Sequence, residues 1–271
     1  VNKTDPRVSF AKEHRRIARR HICIPIAPVH QKADPLSALD SQLVFGAGFD
    51  VYAEEGEWAW GQEVQSDKAG YVGYVPKVAL ASSVPKPTHR VNVLKAPVFT
   101  RPDLKSPIRY LLPLNSKVCI ERSKGKYHDA SGLGYLHDHH ILSNTKHGGD
   151  FVSVAELHLG LPYIWGGVST DGLDCSGLLQ SALRAIGRVA PRDSDMQEQA
   201  LGKPIKYAED LSGLKRGDLL FWKRHVGIMT DPETLLHANA YHMAVAREPL
   251  NEATRRIEKT AGPITSIKRM A

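Results

Sequence analysis

The sequence predicts an α+β fold in which helices pack on an antiparallel sheet, preceded by two small β-barrels. Three observations carry this. A degenerate repeat of alternating, strand-like runs fills the first half of the chain. The second half opens on helix-patterned segments. It then closes on strand-patterned ones, the order of an α+β domain. With 271 residues, 42% hydrophobic and 24% charged, the chain has ordinary globular composition and can bury a sizeable core.

The N-terminal stretch "VNKTDPRVSFAKEHRRIARRH" is polar and basic, and residues 1–20 are expected to form a solvated basic arm. It lacks the apolar run of a secretory signal, and no segment approaches the length of a membrane span. A cytoplasmic location and no membrane partner are therefore expected. Much of the net charge of +7 lies in "KEHRRIARRH" near the N-terminus and in "TRRIEKT" and "SIKRMA" at the other end. No nucleic-acid-reading motif accompanies either cluster, so nucleic acid is not an expected partner, whereas an anionic substrate suits the charge. Three widely spaced cysteines, Cys23, Cys119 and Cys175, with no C-x-x-C pair, argue against a disulfide framework and fit a reducing compartment. Cys23 and Cys119, in alternating runs, read as small buried hydrophobes.

In the repeat, "APV" occurs at Ala27–Val29 and at Ala96–Val98, a shift of 69 that also carries Gly56 onto Gly125 and Trp58 onto Tyr127. Downstream, Gly73-Tyr74-Val75 matches Gly134-Tyr135-Leu136 at a shift of 61, so the first copy holds eight extra residues within "AWGQEVQSDKAGYVG". The two copies are expected to be barrels over 21–84 and 85–145, joined by the Pro-rich "SSVPKPTH". His137, His139 and His140 end the second copy. With no matching Cys or His pair at ligand spacing nearby, no metal is expected there.

The third domain spans 146–271. "DFVSVAELHLG" reads as a short helix capped by Asp150 and stopped by Gly160. "CSGLLQSALRAIG" places Leu178, Leu179, Ala182, Leu183 and Ile186 on one apolar helical face with Gly187 as the stop. "PRDSDMQEQALG" starts a further helix with Ser194 and Gln197 in capping-box register. "GDLLFWK", "HVGIMT" and "TLLHANA" follow as strands, "PLNEATRRIEKTAG" as a last helix and "PITSIKRMA" as a closing strand.

One constellation here could do chemistry. Asp174 is a good N-cap, so Cys175 falls in the first turn of its helix, where the dipole favours a thiolate. A nucleophile also needs a base and an orienter. If the turn Asp231–Glu233 between "HVGIMT" and "TLLHANA" has three residues, Thr230 pairs with Thr234 and His225 lies opposite Asn239. His237 is then the diagonal neighbour of His225 on the same face. Taken singly, Cys175 also fits a core thiol, His225 a strand-edge residue and His237 a hydrogen-bonded core histidine. Together, in this order, they favour a cysteine version of the triad logic.

"LPYIWGG", "DGLDCSGLLQ", "PRDSDMQ", "LKRGDLLFW", "HVGIMT" and "LLHANA" closely resemble, in order and spacing, the NlpC/p60 family of papain-like cysteine peptidases over about Val152 to Ala240. The resemblance implies Cys175 as nucleophile, His225 as general base and acid, His237 as orienter, and Tyr163 as oxyanion partner beside the Cys175 N–H. The front half resembles paired bacterial SH3 domains. The layout as a whole resembles the γ-D-glutamyl-L-diamino acid endopeptidases of murein-peptide recycling, of dipeptidyl-peptidase VI type. That implies a short L-Ala-γ-D-Glu-diamino acid peptide as substrate, cut after D-Glu, with no metal or organic cofactor. It also implies Asp193 and Ser194 as the site for the substrate's free amine, with Asp174, Ser176 and Trp165 along the groove. Tyr71 is the candidate for a closing tyrosine from the first SH3-like domain. An exported hydrolase of intact wall and a non-catalytic wall-peptide-binding protein are the alternatives. A monomer is expected.

Overall fold

A computed structural model describes residues 5–9, 14–65 and 68–270. The chain divides into two compact units, one over residues 2–147 and one over 148–271.

The N-terminal unit is all β. Its first copy comprises β1 (Ala18–Ile22), β2 (Ile26–His30), β3 (Leu39–Val44), β4 (Gly48–Glu55), β5 (Trp58–Gln65), β6 (Lys68–Pro76) and β7 (Leu80–Ala81), paired in the order β3-β2-β6-β5-β4-β1-β7. The second comprises β8 (His89–Val91), β9 (Lys95–Phe99), β10 (Ile108–Pro113), β11 (Lys117–Val118), β12 (Arg122–Lys124), β13 (Tyr127–Asp129), β14 (Tyr135–His137) and β15 (Ile141–Ser143). Their orders, β10-β9-β14-β13-β12 and β11-β8-β15, reproduce the first copy with β4 broken into β11 and β12. The repeat seen in the sequence is thus a repeat of SH3-like sheets. Gly56 and Gly125 both turn their hairpins with positive φ, 53° and 59°, and the extra residues of the first copy lengthen the β5–β6 hairpin.

Alternating side chains build one core from Ile22, Ala27, Val29, Phe49, Val51 and Val75. A second gathers Val91, Val98, Leu112 and Leu136, and Phe45 of the first copy packs into it.

Two expectations differ here. Within the expected basic arm, residues 1–4 and 10–13 lie outside the described ones, and the rest is not solvated freely. The Arg7 carbonyl accepts from Val72 N, the Val8 carbonyl from Gln62 Nε2, and Ala18–Arg20 already belong to β1. Arg19 adds a two-pronged bond to Asp50. Cys23 is exposed, because it follows β1 in the turn before β2, and Cys119 is only partly buried.

The C-terminal unit is α+β. Its elements are α1 (Phe151–Glu156), β16 (Val168–Ser169), β17 (Gly172–Leu173), α2 (Cys175–Ala185), α3 (Ser194–Ala200), β18 (Lys203–Pro204), β19 (Asp218–Trp222), β20 (His225–Met229), β21 (Thr234–Asn239), β22 (Ala244–Pro249), α4 (Leu250–Ala261) and β23 (Ser266–Arg269). The antiparallel sheet runs β18-β23-β19-β20-β21-β22. Residues 175–183 of α2 are all buried, with Leu178, Leu179, Ala182 and Leu183 packed against Leu219, Phe221, Val226, Ile228 and Leu236 of the sheet. Burying the three leucines stabilises the unit by roughly 1.5–3 kcal/mol each, so α2 is held by packing rather than by its propensity.

Candidate active site

Asp174 fixes the mouth of α2. Its Oδ1 accepts from Gly177 N at 2.7 Å and Ser176 Oγ at 3.0 Å, and its Oδ2 from Gly166 N at 3.0 Å. Arg192 completes the set, binding both carboxylate oxygens and the Ser176 hydroxyl from a fully desolvated position. Gly166 has φ 77°, which aims its N–H at Asp174. A Cβ on Gly177 would stand 2.0 Å from the Gly167 carbonyl, so only glycine lets the "WGG" loop lie on the first turn of α2. Asp174 and Ser176, expected along the groove, are buried with these side-chain atoms engaged in this cap.

Cys175 follows the cap. Its Sγ lies 3.9 Å from the carbonyl of Arg224, which a tight Lys223–Arg224 turn with φ 63° at Arg224 presents between β19 and β20. Burial, and then the neighbouring Asp174 carboxylate, push the thiol up to about 12. The helix position alone predicts the opposite direction. Desolvation is the largest cause and works against ionisation of the thiol.

The hairpin carries the histidines. Thr230 N donates to the Thr234 carbonyl at 3.0 Å, and Ile228 and Met229 pair with Leu236 and Leu235, the register expected for a three-residue turn. His225 and His237 consequently share a face, with His225 Nε2 2.8 Å from His237 Nδ1. Burial, and then His237, lower His225 to about 3. Burial also lowers His237, with Glu248 pulling the other way.

Two residues of this site were not legible in the sequence. Glu248, on β22, lies 2.8 Å from His237 Nε2, and Arg256, from α4, binds Glu248 in turn. A glutamate in a strand ordinarily reads as exposed, and no periodic signal marked β22.

Tyr163 is held by its N–H to the Met243 carbonyl and by a bridge to Leu173. Burial, and then Cys175 and Asp174, raise its phenol above the ordinary tyrosine value. Trp165 is 64% exposed. Asp193 is the N-cap residue of α3, without a side-chain cap bond, and Ser194 opens the helix. The expected capping box of Ser194 and Gln197 does not form, because the helix starts one residue early. The Gln197 amide instead donates to the Ser176 and Pro191 carbonyls. Tyr71 lies in the N-terminal unit, buried on β6 at the bulge opposite β5. His137, Asp138 and His139 bring one ligand atom each within 4.8 Å on a turn of that unit. The Cys175–His225–His237 geometry makes no use of them.

The NlpC/P60 family profile matches residues 160–259, and that of the bacterial dipeptidyl-peptidase Sh3 domain matches residues 29–80. The γ-D-glutamyl-L-lysine dipeptidyl-peptidase of Bacillus subtilis is 30% identical over 223 residues, 74% of this chain and 73% of that protein. The chain belongs to the NlpC/P60 family. It is a cysteine peptidase related to γ-D-glutamyl-L-lysine dipeptidyl-peptidases. The Bacillus cereus enzyme of that name is 27% identical to this NlpC/P60 chain over 250 residues, 79% of the chain and 71% of the relative. A crystal structure of an NlpC/P60 family protein from Bacillus cereus shares the fold with a TM-score of 0.78 at 18% identity, covering 93% of this chain and 99% of that one.

Proposed function

We propose that this NlpC/P60 peptidase hydrolyses the γ-D-glutamyl–diamino acid bond of short murein peptides that carry a free N-terminal L-Ala, releasing L-Ala-D-Glu. The observation that carries the reading is that the Cys175 thiol at the mouth of α2 lies against the carbonyl of Arg224, the residue just before His225, and that His225 is paired with His237. The relatives named for the γ-D-glutamyl-L-lysine bond support the substrate class.

Cys175 Sγ attacks the γ-carbonyl of D-Glu as its proton passes to His225. Burial disfavours a free thiolate, so transfer of the proton to His225 is coupled to attack. The tetrahedral oxyanion is met by the Cys175 N–H, which has no intrahelical partner at the first turn, and by the Tyr163 hydroxyl. His225 then gives its proton to the departing diamino-acid amine, leaving a thioester on Cys175. Water, deprotonated by His225, hydrolyses the thioester and restores the thiol. His237 holds the His225 ring in place throughout.

Asp193 receives the substrate's ammonium with Ser194 beside it, and Trp165 offers an exposed ring to the groove. We place the enzyme in a reducing, cytoplasmic setting, where it recycles peptide fragments; its three free cysteines support that reading. Parallel assays of the free tripeptide and its N-acetylated form test the function. The reading requires turnover of the free form and little of the blocked one. Preference for the acetylated peptide would favour action on intact wall and overturn it.

A further inference from the structure

A histidine in the orienting position leaves a choice open. An amide or a carboxylate offers a fixed acceptor, but an imidazole can present either N–H or a lone pair to its neighbour. His237 Nδ1 could therefore accept from His225 Nε2 or donate to it. Only the first arrangement leaves His225 with a lone pair on Nδ1.

Glu248 removes the choice. Its Oε1 accepts from His237 Nε2 at 2.8 Å and from Arg256 Nη2, and its Oε2 from Arg256 Nε at 3.3 Å. His242 Nε2 stands 3.2 Å from Oε1 on the outer side. Arg256 is itself held against the Tyr241 ring, 4.3 Å from its centroid. Burial works to raise the Glu248 carboxyl, but the bonds from His237 and Arg256 outweigh it and hold the group down to about 2. At neutral pH it is an anion and can only accept. The proton of His237 must then sit on Nε2. Burial keeps His237 neutral, so its Nδ1 is a lone pair, and His225 Nε2, 2.8 Å away, is obliged to donate.

We propose that Glu248, clamped by Arg256, is a positioning residue that sets the tautomers of both histidines and reserves Nδ1 of His225 as the base. When His225 takes up a proton, the Glu248 charge stabilises the imidazolium through His237, with no proton moving onto Glu248. The proposal rests on the reading of Cys175, His225 and His237 as peptidase machinery.

Ring-¹⁵N NMR of the intact wild-type chain near neutral pH tests it without turnover. Both His225 and His237 are expected as Nε2–H tautomers. A proton on Nδ1 of His225 would overturn the proposal, whatever the substrate proves to be. Turnover of L-Ala-γ-D-Glu-L-lysine supplies the second readout. Glu248→Leu is expected to lower kcat roughly 10- to 100-fold with KM little changed, and to mix the His225 tautomers. Glu248→Gln, which keeps an acceptor oxygen and loses the charge, falls between. A folded Glu248→Leu chain with wild-type kcat would also overturn it. If that variant does not fold, the wild-type tautomers decide. Correct tautomers without turnover of this peptide would count against the substrate reading alone.

Discussion

The carboxylate of Asp174 and the guanidinium of Arg192 meet two atoms against two at the mouth of the nucleophile helix, with the Arg192 side chain 2% exposed. The "PRDS" stretch therefore has two faces. Its arginine anchors the helix cap from below, while Asp193 and Ser194 begin the next helix.

Removing one partner of a buried, hydrogen-bonded pair leaves the other charge uncompensated. Arg192→Ala is expected to destabilise the chain by about 3–5 kcal/mol. Asp174→Asn keeps the hydrogen-bonding shape and should cost less than Arg192→Ala. Urea-unfolding midpoints of the two variants check the order. Equal, small losses would show that the pair does not support the cap.

Gly177 and Gly125 should respond to alanine for different reasons. At Gly125 the φ of 59° is the only obstacle, since nothing lies within 4 Å of the added carbon, and about 1–2 kcal/mol is expected. At Gly177 the backbone conformation is helical, but the Gly167 carbonyl would be 2.0 Å away. Gly177→Ala is expected to displace the "WGG" loop and abolish turnover, while Gly125→Ala retains it. Paired thermal melts and activity assays distinguish the two.

Acid should weaken the C-terminal unit. His158 is fully buried, with Nδ1 2.9 Å from the Val154 carbonyl, and burial lowers it from 6.5, as it does His225 and His237. Below 6.5 the unfolded chain takes up protons that these folded imidazoles refuse, so stability present above 6.5 falls as pH falls. The slope reaches up to about 1.4 kcal/mol per pH unit for each group. Calorimetry between pH 7.5 and 5 should show Tm falling, and His158→Leu should make the fall shallower. An unchanged slope in that variant would rule out His158 as a contributor.

Asp193 is the proposed seat of the substrate amine. Asp193→Ala is expected to lower kcat/KM for the free-amine tripeptide by roughly 10-fold or more, the scale of a lost charge-assisted hydrogen bond. Its small activity on the N-acetylated form should remain. Kinetics on both peptides check this, and an unaltered preference would remove Asp193 from amine recognition.

Much of this molecule is legible before the structure. The cap at Asp174 and the apolar stripe of α2 are local signals. The three-residue turn at Asp231–Glu233 fixes a register parity, and parity alone puts His225 and His237 on one face. The repeated glycines at 56 and 125 mark equivalent hairpins because both need positive φ. What stayed hidden depends on burial and on distant partners. Glu248 and Arg256 look like surface charges on a strand and an amphipathic helix, and only the packing of α4 beside β22 brings them behind His237. The Cys175 thiol went the opposite way from its helix position because desolvation is a property of the folded unit. Exposure of Cys23 follows from a turn that an alternating pattern does not reveal.

The most direct measurement is mass spectrometry of L-Ala-γ-D-Glu-L-lysine, and of its meso-diaminopimelate counterpart, after incubation with the wild-type chain and with Cys175→Ala. Wild type should yield L-Ala-D-Glu and the free diamino acid from at least one peptide, and Cys175→Ala should yield neither. Intact peptides after incubation with folded wild-type chain, cleavage between L-Ala and D-Glu, or product from Cys175→Ala would contradict the proposed peptidase.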